Sequence, residues 1–348
     1  MPATKHHKMT QRKIAELAGV SQTTVSLVLN GKASEASARI PEETRVRVLE
    51  VIRGTTYVAD PAARRLAGVG NKIIGVFTYE PAFPTSSQDF YAPLLTGIEA
   101  QSEEQGFDLL MFTSAPVVDG RRRLFHENNR MQLADGCLLL GLEMDGDELH
   151  RLVETGFPFV AVGRRDTPGV PYVGIDYATG TAALIDRALG LGHRRFALLH
   201  TLSAAEAVAD RQEGFLRSLQ ERSDVVRRMV PIGDDDVESA FAELVAFSPS
   251  VVVVETQHIA EEIARRANYA GISIPGDMSM VVLGASIGAT ASPFDFTRLD
   301  PPRIPLGAAS VQLLARLLSD DDVPGDDELQ TLLPCTLHDG TTLAGVSE

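Results

Sequence analysis

The sequence predicts an α/β protein with a small N-terminal helix-turn-helix head, a short hinge helix, and a two-lobed body of parallel sheets flanked by helices. Three observations carry this prediction. Two short amphipathic helical segments meet at a glycine near the N-terminus. Residues 1–70 are basic, whereas the rest of the chain is acidic. Strand-like and helix-like segments then alternate along the remaining residues, which is typical of parallel sheets covered by helices.

The pair of short helices is the most informative stretch. Ile14, Leu17 and Ala18 recur at helical spacing and are expected on one face. Gly19 supplies the left-handed residue that ends a helix, and Ser21 can cap the next one. The buried face of that second helix is expected to be Val25, Val28 and Leu29, and its exposed face Gln22, Thr23, Ser26 and Asn30.

That exposed face and the charge of the head together favour DNA binding. Small, uncharged hydrogen-bonding side chains on a helix are of the kind that reach base edges in a major groove. Residues 1–70 contain 11 Lys and Arg against 6 Asp and Glu, while the whole chain has a net charge of −15. A basic head would meet phosphate, and an acidic body would repel it. The alternatives are a helix pair inside an all-α domain, or an acidic enzyme with a solvated basic tail.

Two further helical segments complete the N-terminal region. Pro41 followed by two glutamates is expected to open a third helix. Residues 60–67 predict a short helix that also starts with a proline, followed by the flexible joint Gly68–Gly70. Eight residues are too few for a stable isolated helix, so this segment is a candidate switch that forms only when something packs against it. The core-facing residues of the third helix are expected to be Val46, Leu49, Val51 and Ile52.

The body is expected to form two α/β lobes with a cleft between them, an architecture that closes about a hinge. Helices are predicted over residues 94–105 and 179–191. Strands are predicted over residues 73–78, 107–113, 136–141, 157–162, 172–175, 196–200, 226–232, 251–254 and 280–283.

Composition excludes several other classes. The chain has 44% hydrophobic residues, no apolar run long enough to span a membrane, and no apolar signal core at its N-terminus. Its two cysteines, Cys137 in a buried strand and Cys335, indicate a reducing, cytoplasmic compartment without a disulfide framework. No glycine-rich phosphate loop, nucleophile elbow or metal-ligand spacing is present. The sequence therefore predicts a sensor without catalytic activity, metal or cofactor.

The chain resembles the lactose/galactose repressor family of bacterial transcription regulators. The matching residues of the head and hinge are Thr10–Gly31, Pro41–Arg45, Tyr57 and Ala63–Leu66. Shorter matches follow in the family's order along the body. They are Gly97–Glu99, Gly106–Leu110, Ala134–Gly136, Val162–Arg164, Val173–Asp176, Leu191–Arg195 and Arg211–Phe215. Their order and spacing, more than any one of them, make the resemblance specific.

The resemblance implies a periplasmic-binding-protein-like core whose chain crosses between the lobes three times. We expect these crossings near Asp176, within residues 298–301, and near Pro324. The expected domains are a head at residues 1–58, a hinge and linker at 59–71, and an effector-binding core at 72–348. Within the core, the N-lobe comprises residues 72–176 and 301–323, and the C-lobe residues 177–300 and 324–348.

The resemblance also implies a homodimer that binds a pseudo-palindromic, double-stranded DNA operator, which would associate the protein with the nucleoid. Leu66 would wedge into the minor groove at the operator centre, with Arg64 or Arg65 near flanking phosphates. Residues 60–67 would be disordered without DNA and helical with it. The expected DNA-contacting residues are Thr10, Arg12, Ser21, Gln22, Thr23, Thr24, Ser26, Asn30, Tyr57, Ala63, Arg64 and Leu66.

A small-molecule effector, a carbohydrate or sugar derivative, is expected between the lobes. Arg211 matches the family arginine that hydrogen-bonds sugar or purine effectors, although a surface ion pair is the alternative. The guanidinium fork suits vicinal hydroxyls or a carboxylate. Further expected contacts are Arg164, Asp176 and Thr256 at strand ends, and Tyr79, Phe90 and Tyr91 as an apolar platform.

Three departures from the family pattern leave alternatives open. Leu27 stands where the family usually has arginine, and the loop from residue 31 to 41 is longer. The family's acidic positions at two strand ends read Thr256-Gln257 and Gly284-Ala285. The carboxylate that typically grips effector hydroxyls is therefore missing, which favours an acidic or phosphorylated sugar. An effector-independent repressor, a solute-binding protein and a sugar-processing enzyme remain as alternatives.

Overall fold

The structure is a computed structural model, and it describes residues 9–29, 39–55, 70–82, 91–118, 120–233, 236–284, 292–319 and 321–346. The chain divides into two compact units at residue 72, a head unit of residues 1–72 and a core unit of residues 73–348. Each unit has its own hydrophobic core.

Three helices form the described part of the head unit: α1 (Gln11–Ala18), α2 (Gln22–Leu29) and α3 (Glu42–Arg53). Helix α1 ends at Gly19, whose left-handed φ of 66° favours glycine. The buried residues of this small core are Ile14, Ala15, Ala18, Val25, Val28 and Val48. The predicted helix-turn-helix is confirmed.

Two of the residues predicted for the head core lie elsewhere. Leu17 is 54% exposed and Val46 is 44% exposed. Ala15 and Val48 occupy the inner positions instead, because α1 and α3 are rotated so that these residues meet α2. Helical spacing identifies a stripe of apolar residues, and the packing of the third helix decides which part of that stripe is buried.

The core unit contains two six-stranded sheets. The first, which we call the N-lobe sheet, has the order β13-β7-β6-β5-β1-β2 with all strands parallel. Its strands are β1 (Ile73–Thr78), β2 (Asp108–Phe112), β5 (Gly136–Leu140), β6 (Phe159–Val162), β7 (Tyr172–Asp176) and β13 (Gln330–Pro334). A two-residue hairpin, β3 (Val117–Val118) with β4 (Arg121–Arg122), lies beyond β2.

The second sheet, the C-lobe sheet, has the order β14-β12-β11-β10-β8-β9, in which only β14 is antiparallel. Its strands are β8 (Arg195–Thr201), β9 (Val226–Ile232), β10 (Val251–Val254), β11 (Ser279–Val282), β12 (Thr297–Asp300) and β14 (Thr336–His338). The seven described helices of this unit are α4 (Ala92–Gln105), α5 (Gly146–Thr155), α6 (Tyr177–Gly190), α7 (Glu206–Leu219), α8 (Val237–Phe247), α9 (Gln257–Tyr269) and α10 (Arg303–Leu317).

The central strands are apolar throughout because helices cover both faces of each sheet. The four valines of β10 are fully buried, two in one core cluster and two in another on the opposite face of the sheet. Cys137 in β5 is also fully buried, as predicted. The α/β fold class and the alternation of strands and helices are confirmed.

The chain passes between the lobes at three places: after Asp176, between Asp300 and Arg303, and at Cys335. The prediction of the third crossing near Pro324 is wrong. Residues 330–334 still belong to the N-lobe, since Gln330 to Pro334 pair in register with Tyr172 to Asp176. The proline marks the loop after α10, and the crossing occurs eleven residues later, at Cys335.

Helices α4 and α10 cross closely on the N-lobe sheet because glycines face each other. A Cβ atom on Gly97 would lie 2.0 Å from the backbone oxygen of Ile304, and one on Gly307 would lie 2.2 Å from that of Leu94. No side chain fits at either position. Near this crossing, Leu94 and Ile98 of α4 and Leu306, Val311 and Leu314 of α10 belong to the same buried cluster.

Among the residues that the structure describes, no helix is both long and apolar enough to cross a bilayer. The same described ranges hold no cluster of three His, Cys, Asp or Glu side chains arranged for a metal ion.

Candidate functional sites

The second helix of the head presents a polar face to solvent. Gln22 and Thr23 in its first turn are exposed, and Ser26 one turn later is half-buried. On the opposite face, Val25 and Val28 anchor the helix in the head core. The side chains that reach solvent carry amide and hydroxyl groups, which can both donate and accept hydrogen bonds. This face therefore has the chemistry required to read base edges.

Three of the predicted DNA-contacting residues take part in the hydrogen bonds that cap the starts of α1 and α2. The Ser21 hydroxyl accepts a hydrogen bond from the Thr24 backbone amide at 3.1 Å, and the Ser21 and Thr24 hydroxyls are 2.9 Å apart. The Thr10 hydroxyl accepts from the Lys13 amide at 3.3 Å. These caps satisfy backbone groups that helix starts leave open. They fix the direction in which both helices approach a surface.

The first helix carries exposed cations. The Arg12 side chain is 83% exposed, and its Nε lies 3.8 Å from the Glu16 carboxylate. Lys13 pairs with the same carboxylate at 2.9 Å. Exposed pairs of this kind are weak, so both cations can exchange Glu16 for phosphate. Six predicted site residues lie outside the described residues: Asn30, Tyr57, Ala63, Arg64, Leu66 and Phe90.

In the core unit, Arg211 lies on α7 of the C-lobe, next to residues that directly follow strands β10 and β11. Helix α7 begins at Glu206, so Arg211 lies in its second turn. Its guanidinium carbon is 3.7 Å from the ring centroid of Tyr177. Its Nε donates to the backbone oxygen of Leu283 at 3.3 Å, and its Nη1 to that of Ala207 at 3.1 Å. These contacts fix the guanidinium at the carboxyl ends of the strands.

Glu255 is the acidic neighbour of Arg211. It follows β10 directly, is buried, and places one carboxylate oxygen 3.4 Å from Nη1 of Arg211. The other oxygen accepts hydrogen bonds from the amide and hydroxyl of Thr201, at 2.6 and 2.9 Å. The predicted contact Thr256 comes next and occupies the N-cap position of α9. Thr256 and Arg211 therefore lie at the same edge of the C-lobe sheet.

A second arginine reaches this place from the N-lobe. Arg303 begins α10 directly after the second crossing. A Cβ atom on Gly284 would lie 3.9 Å from Nη2 of Arg211 and 4.0 Å from Nη2 of Arg303. Burial lowers the pKa of the Arg303 guanidinium, and the positive charge of Arg211 lowers it further. The predicted contact Asp176 ends β7, where its carboxylate accepts from the Thr179 amide at 2.9 Å and caps α6.

Two ion pairs join the lobes, and we call them the interlobe ion pairs. Arg164 binds Asp210 through two hydrogen-bonded contacts, Nε to Oδ2 at 2.9 Å and Nη2 to Oδ1 at 2.7 Å. Arg165, only 3% exposed, pairs with Glu206 at 2.7 Å. Both arginines follow β6 of the N-lobe, and both carboxylates belong to α7 of the C-lobe. Arg164, predicted to contact effector, thus has its guanidinium engaged by α7 and by Asp166.

The electrostatics of the interlobe ion pairs reflect partial burial. Burial raises the pKa of the Asp210 carboxyl, and the hydrogen bonds from Arg164 offset only part of that effect. Hydrogen bonding to Asp210 in turn raises the pKa of the Arg164 guanidinium.

A hydrogen-bonded connection adjoins these pairs. One Glu143 oxygen in the N-lobe accepts from the Ser203 hydroxyl at 2.6 Å and from the Ala204 amide at 3.0 Å, both in the C-lobe. The other oxygen pairs with Arg121 of the hairpin. Burial alone would raise the pKa of Glu143, but the hydrogen bonds from Ser203 and Ala204 and the Arg121 charge together lower it. Glu143 is therefore a carboxylate that links three segments.

The two described members of the predicted aromatic platform, Tyr79 and Tyr91, are buried. The Tyr79 side chain is 1% exposed and packs edge-on against Phe77 within the N-lobe core. Tyr91 is also buried, and its hydroxyl donates to the Glu80 carboxylate. Both rings fill space between the sheet and its helices, so neither presents a face to a ligand in this arrangement.

Sequence reasoning missed several residues that the structure places at the cleft. Glu255 carries a usable signal, because a charged residue directly after four valines marks the carboxyl end of a buried strand. The signal for Arg303 is weaker, a lone arginine after two prolines. The other missed residues have no local signal, because only the tertiary fold pairs them with a partner. They are Glu143, Arg165, Tyr177, Glu206 and Asp210.

Two family models match the chain. Residues 10–60 match the model of bacterial regulatory proteins of the lacI family, and residues 185–343 match that of the periplasmic binding protein-like domain. The HTH-type transcriptional regulator CelR of Thermobifida fusca is 28% identical over 325 residues, which cover 89% of this chain and 92% of CelR. Catabolite control protein A of Priestia megaterium is 25% identical over 318 residues, with coverage of 89% and 92%.

Solved structures share the fold over nearly the whole chain. A lac repressor dimer bound to operator and the anti-inducer ONPF matches with a TM-score of 0.73 at 20% identity, covering 97% of this chain and 99% of that one. A complex of the regulator CelR with cellobiose matches with a TM-score of 0.62 at 23% identity, covering 96% and 100%. The head and the two-lobed core thus occur together, in this order, in these solved structures.

Proposed function

The chain belongs to the lacI family of bacterial regulatory proteins, and from this premise we propose that it is a transcriptional repressor whose head reads an operator and whose core binds a small polar effector. The proposal that the head reads an operator rests on the exposed polar face of α2, which Val25 and Val28 hold against the head core. The proposal that the core binds an effector is supported by the pair that Arg211 forms with the buried Glu255 at the carboxyl ends of the C-lobe strands.

We propose that the protein acts as a homodimer on a pseudo-palindromic operator in the cytoplasm, at the nucleoid. A two-fold protein reads a two-fold site, with one recognition helix in each half-site. The lac repressor, with which this chain shares its fold, has been solved as a dimer on its operator. The negative charge of the body repels the phosphates of DNA, so that only the head contacts the operator.

Substitutions on the two head helices are expected to separate base reading from phosphate contact. Gln22→Ala should cost about 1 to 3 kcal/mol on the preferred operator and relax the base preference at one position in each half-site. Arg12→Ala should weaken binding to all sequences alike and reduce the slope of log affinity against log salt by about 1 per protomer. Fluorescence anisotropy over a set of single-base operator variants, at several salt concentrations, measures both effects.

Each of these variants serves as the control for the other. Gln22 and Arg12 are both exposed, so neither substitution removes core contacts of the head. If Gln22→Ala weakens every operator variant by the same factor, then α2 positions the head without reading sequence.

For the effector, we propose a carbohydrate-like molecule held between the lobes, with Arg211 as a principal contact. A guanidinium fixed by an aromatic ring and two backbone oxygens presents its remaining donors in a defined direction. CelR has been solved with cellobiose, which supports a sugar-like ligand in this type of core. Asp176 and Thr256, at the carboxyl ends of strands, are proposed as further contacts, and no catalytic role is proposed for any of these residues.

Effector binding would change the angle between the lobes and thereby the spacing of the two heads in the dimer. The coupling must be reciprocal, so an effector that lowers operator affinity must itself bind more weakly to the operator complex. A repressor without an effector is the second candidate, favoured by the absence of an acidic side chain at Gly284. Operator binding unaffected by every sugar that binds the core would favour this second candidate.

A further inference from the structure

We propose that the N-lobe contains a second ligand site, separate from the interlobe cleft, which binds a compact aromatic carboxylate beside strand β2. The site is a cavity of about 280 Å³. All of its lining residues belong to the N-lobe, at Phe77 and within residues 110–133. The proposed effector site, in contrast, includes Arg211 of the C-lobe. The inference therefore goes beyond the proposed function and can be tested independently of it.

The cavity lies at the outer part of one face of the N-lobe sheet. Among the described strands, β2 is the edge of this sheet and pairs only with β1. Helix α5 contributes Leu149 and Leu152 to the cluster that covers the inner strands β5 and β6 on the same face. Between β2 and β5, the described residues form the β3–β4 hairpin and a single 3₁₀ turn, but no α-helix. Residues 124–133 take the place of a covering helix, and the cavity lies between them and β2.

One wall of the cavity is held in place by hydrogen bonds. The Asn129 side-chain amide donates to the backbone oxygen of Leu124 at 2.5 Å, and its carbonyl oxygen accepts from the Met131 backbone amide at 2.8 Å. These bonds close the turn between Leu124 and Met131. The Glu148 carboxylate of α5 accepts from the Leu124 amide at 3.0 Å, which ties the turn to the helix. A wall fixed in this way lowers the cost of ordering on ligand binding.

The inner surface of the cavity is apolar and suits a ring. Phe77, Leu124 and Met131 are almost fully buried, and Met111 and Phe112 border the same space from β2. Methionine sulfur makes favourable contacts with aromatic rings, and phenylalanine rings pack against them edge-on or offset. Pockets for drug-sized ligands enclose about 300 to 1,000 Å³, so a cavity near the lower limit fits one ring with a short substituent.

The rim of the cavity is polar and favours an anion. His126, Asn128 and Arg130 line it, and in the part of the chain that the structure describes their side chains have no hydrogen-bond or ion-pair partner. Arg130 supplies a positive charge, and the imidazole and amide can donate hydrogen bonds. None of the described residues that line the cavity is acidic. A carboxylate on the ring would therefore gain charge-assisted hydrogen bonds at the rim while the ring lies on the apolar surface.

Methionine-methyl NMR of the full-length protein tests the site, because Met111 and Met131 line the cavity. The probes are benzoate and its neutral analogue benzyl alcohol. Benzoate should shift both methyl signals, with a dissociation constant of about 0.1 to 10 mM, as expected for a ligand of about ten non-hydrogen atoms. Benzyl alcohol should bind about tenfold more weakly, because it lacks the charge. The signals of Met229 and Met280 in the C-lobe should not move.

Three variants locate the binding. Arg130→Gln should weaken benzoate binding about tenfold and leave benzyl alcohol binding unchanged, and it removes no core contact because Arg130 is exposed. Ala115 lines the cavity and packs against its apolar cluster, so Ala115→Leu should fill the cavity and abolish binding of both probes without lowering the melting temperature. Arg211→Ala should leave binding of both probes unchanged, so that this inference and the proposed effector function can fail separately.

The inference is overturned if neither probe shifts the signals of Met111 and Met131, or if Ala115→Leu binds benzoate as the unsubstituted protein does. Equal affinity for benzoate and benzyl alcohol would contradict recognition of a carboxylate. Signals that shift with protein concentration, and respond to neither probe, would show that a second copy of the chain covers the cavity, which would contradict a ligand site.

Discussion

Glu206→Ala is expected to weaken the attachment of the two lobes by about 3 to 5 kcal/mol, since it leaves the Arg165 charge buried without its partner. Arg165 would still donate to the backbone oxygens of Gly141 and Leu142, but these neutral acceptors do not replace a carboxylate. The protein should respond by opening between the lobes, which returns the guanidinium to water. Backbone amides that bridge the lobes, such as those of Asp166 and Ala204, would then lose their acceptors.

Hydrogen exchange and denaturant unfolding measure these two consequences. Peptides covering residues 164–166 and 203–206 should exchange faster in Glu206→Ala, and the unfolding midpoint of the core unit should fall. Glu213→Ala is the matched control, because Glu213 lies on the same helix and pairs with Arg217 at 3.8 Å on the exposed face. That control should change stability by less than about 0.5 kcal/mol. Equal exchange in Glu206→Ala and Glu213→Ala would show that the interlobe ion pairs do not hold the lobes together.

Gly97→Ala is expected to destabilise the core unit by about 3 kcal/mol. Its new methyl group would lie 2.0 Å from the backbone oxygen of Ile304 and 3.1 Å from the amide nitrogen of Ala308. Backbone atoms of α10 cannot move aside as a flexible side chain would, so α4 and α10 must separate. The gain in helix propensity, about 1 kcal/mol, is too small to offset the lost packing.

Denaturant unfolding followed by circular dichroism gives the result directly. Gly190→Ala provides the control, since Gly190 is also in a helix and a Cβ there meets no atom within 4 Å. This control should leave stability unchanged or raise it by up to about 1 kcal/mol. A Gly97→Ala protein as stable as the unsubstituted one would mean that the two helices do not cross this closely.

The fold was predictable because its strongest signals are local. A run of four β-branched residues such as Val251–Val254 is typical of a strand buried on both faces, and the segments between such runs have the length of covering helices. Pro324 is a local signal for a loop, and it does not mark the third crossing. Pairing of β13 with β7 joins residues more than 150 positions apart, and no local pattern reports it.

The head and the cleft differed in how much the sequence revealed. The polar face of α2 lies within one helix, so Gln22 and Thr23 follow from spacing alone. The cleft is assembled from segments that the fold brings together, as in the Arg164–Asp210 pair and the meeting of Arg211 with Arg303. Tyr79 illustrates the converse, because its place at a strand end suggested a ligand platform and the structure buries its ring.

Selection of binding sites from a random pool of duplex DNA tests the central claim most directly. The full-length protein should enrich one pseudo-palindromic sequence with two half-sites, whose centres lie about one helical turn or a multiple of it apart. Binding to that sequence should be at least about a thousandfold tighter than to unrelated duplex at the same salt concentration. Recovery of the unselected pool by a folded protein, with affinity that depends on salt alone, would contradict a sequence-specific regulator.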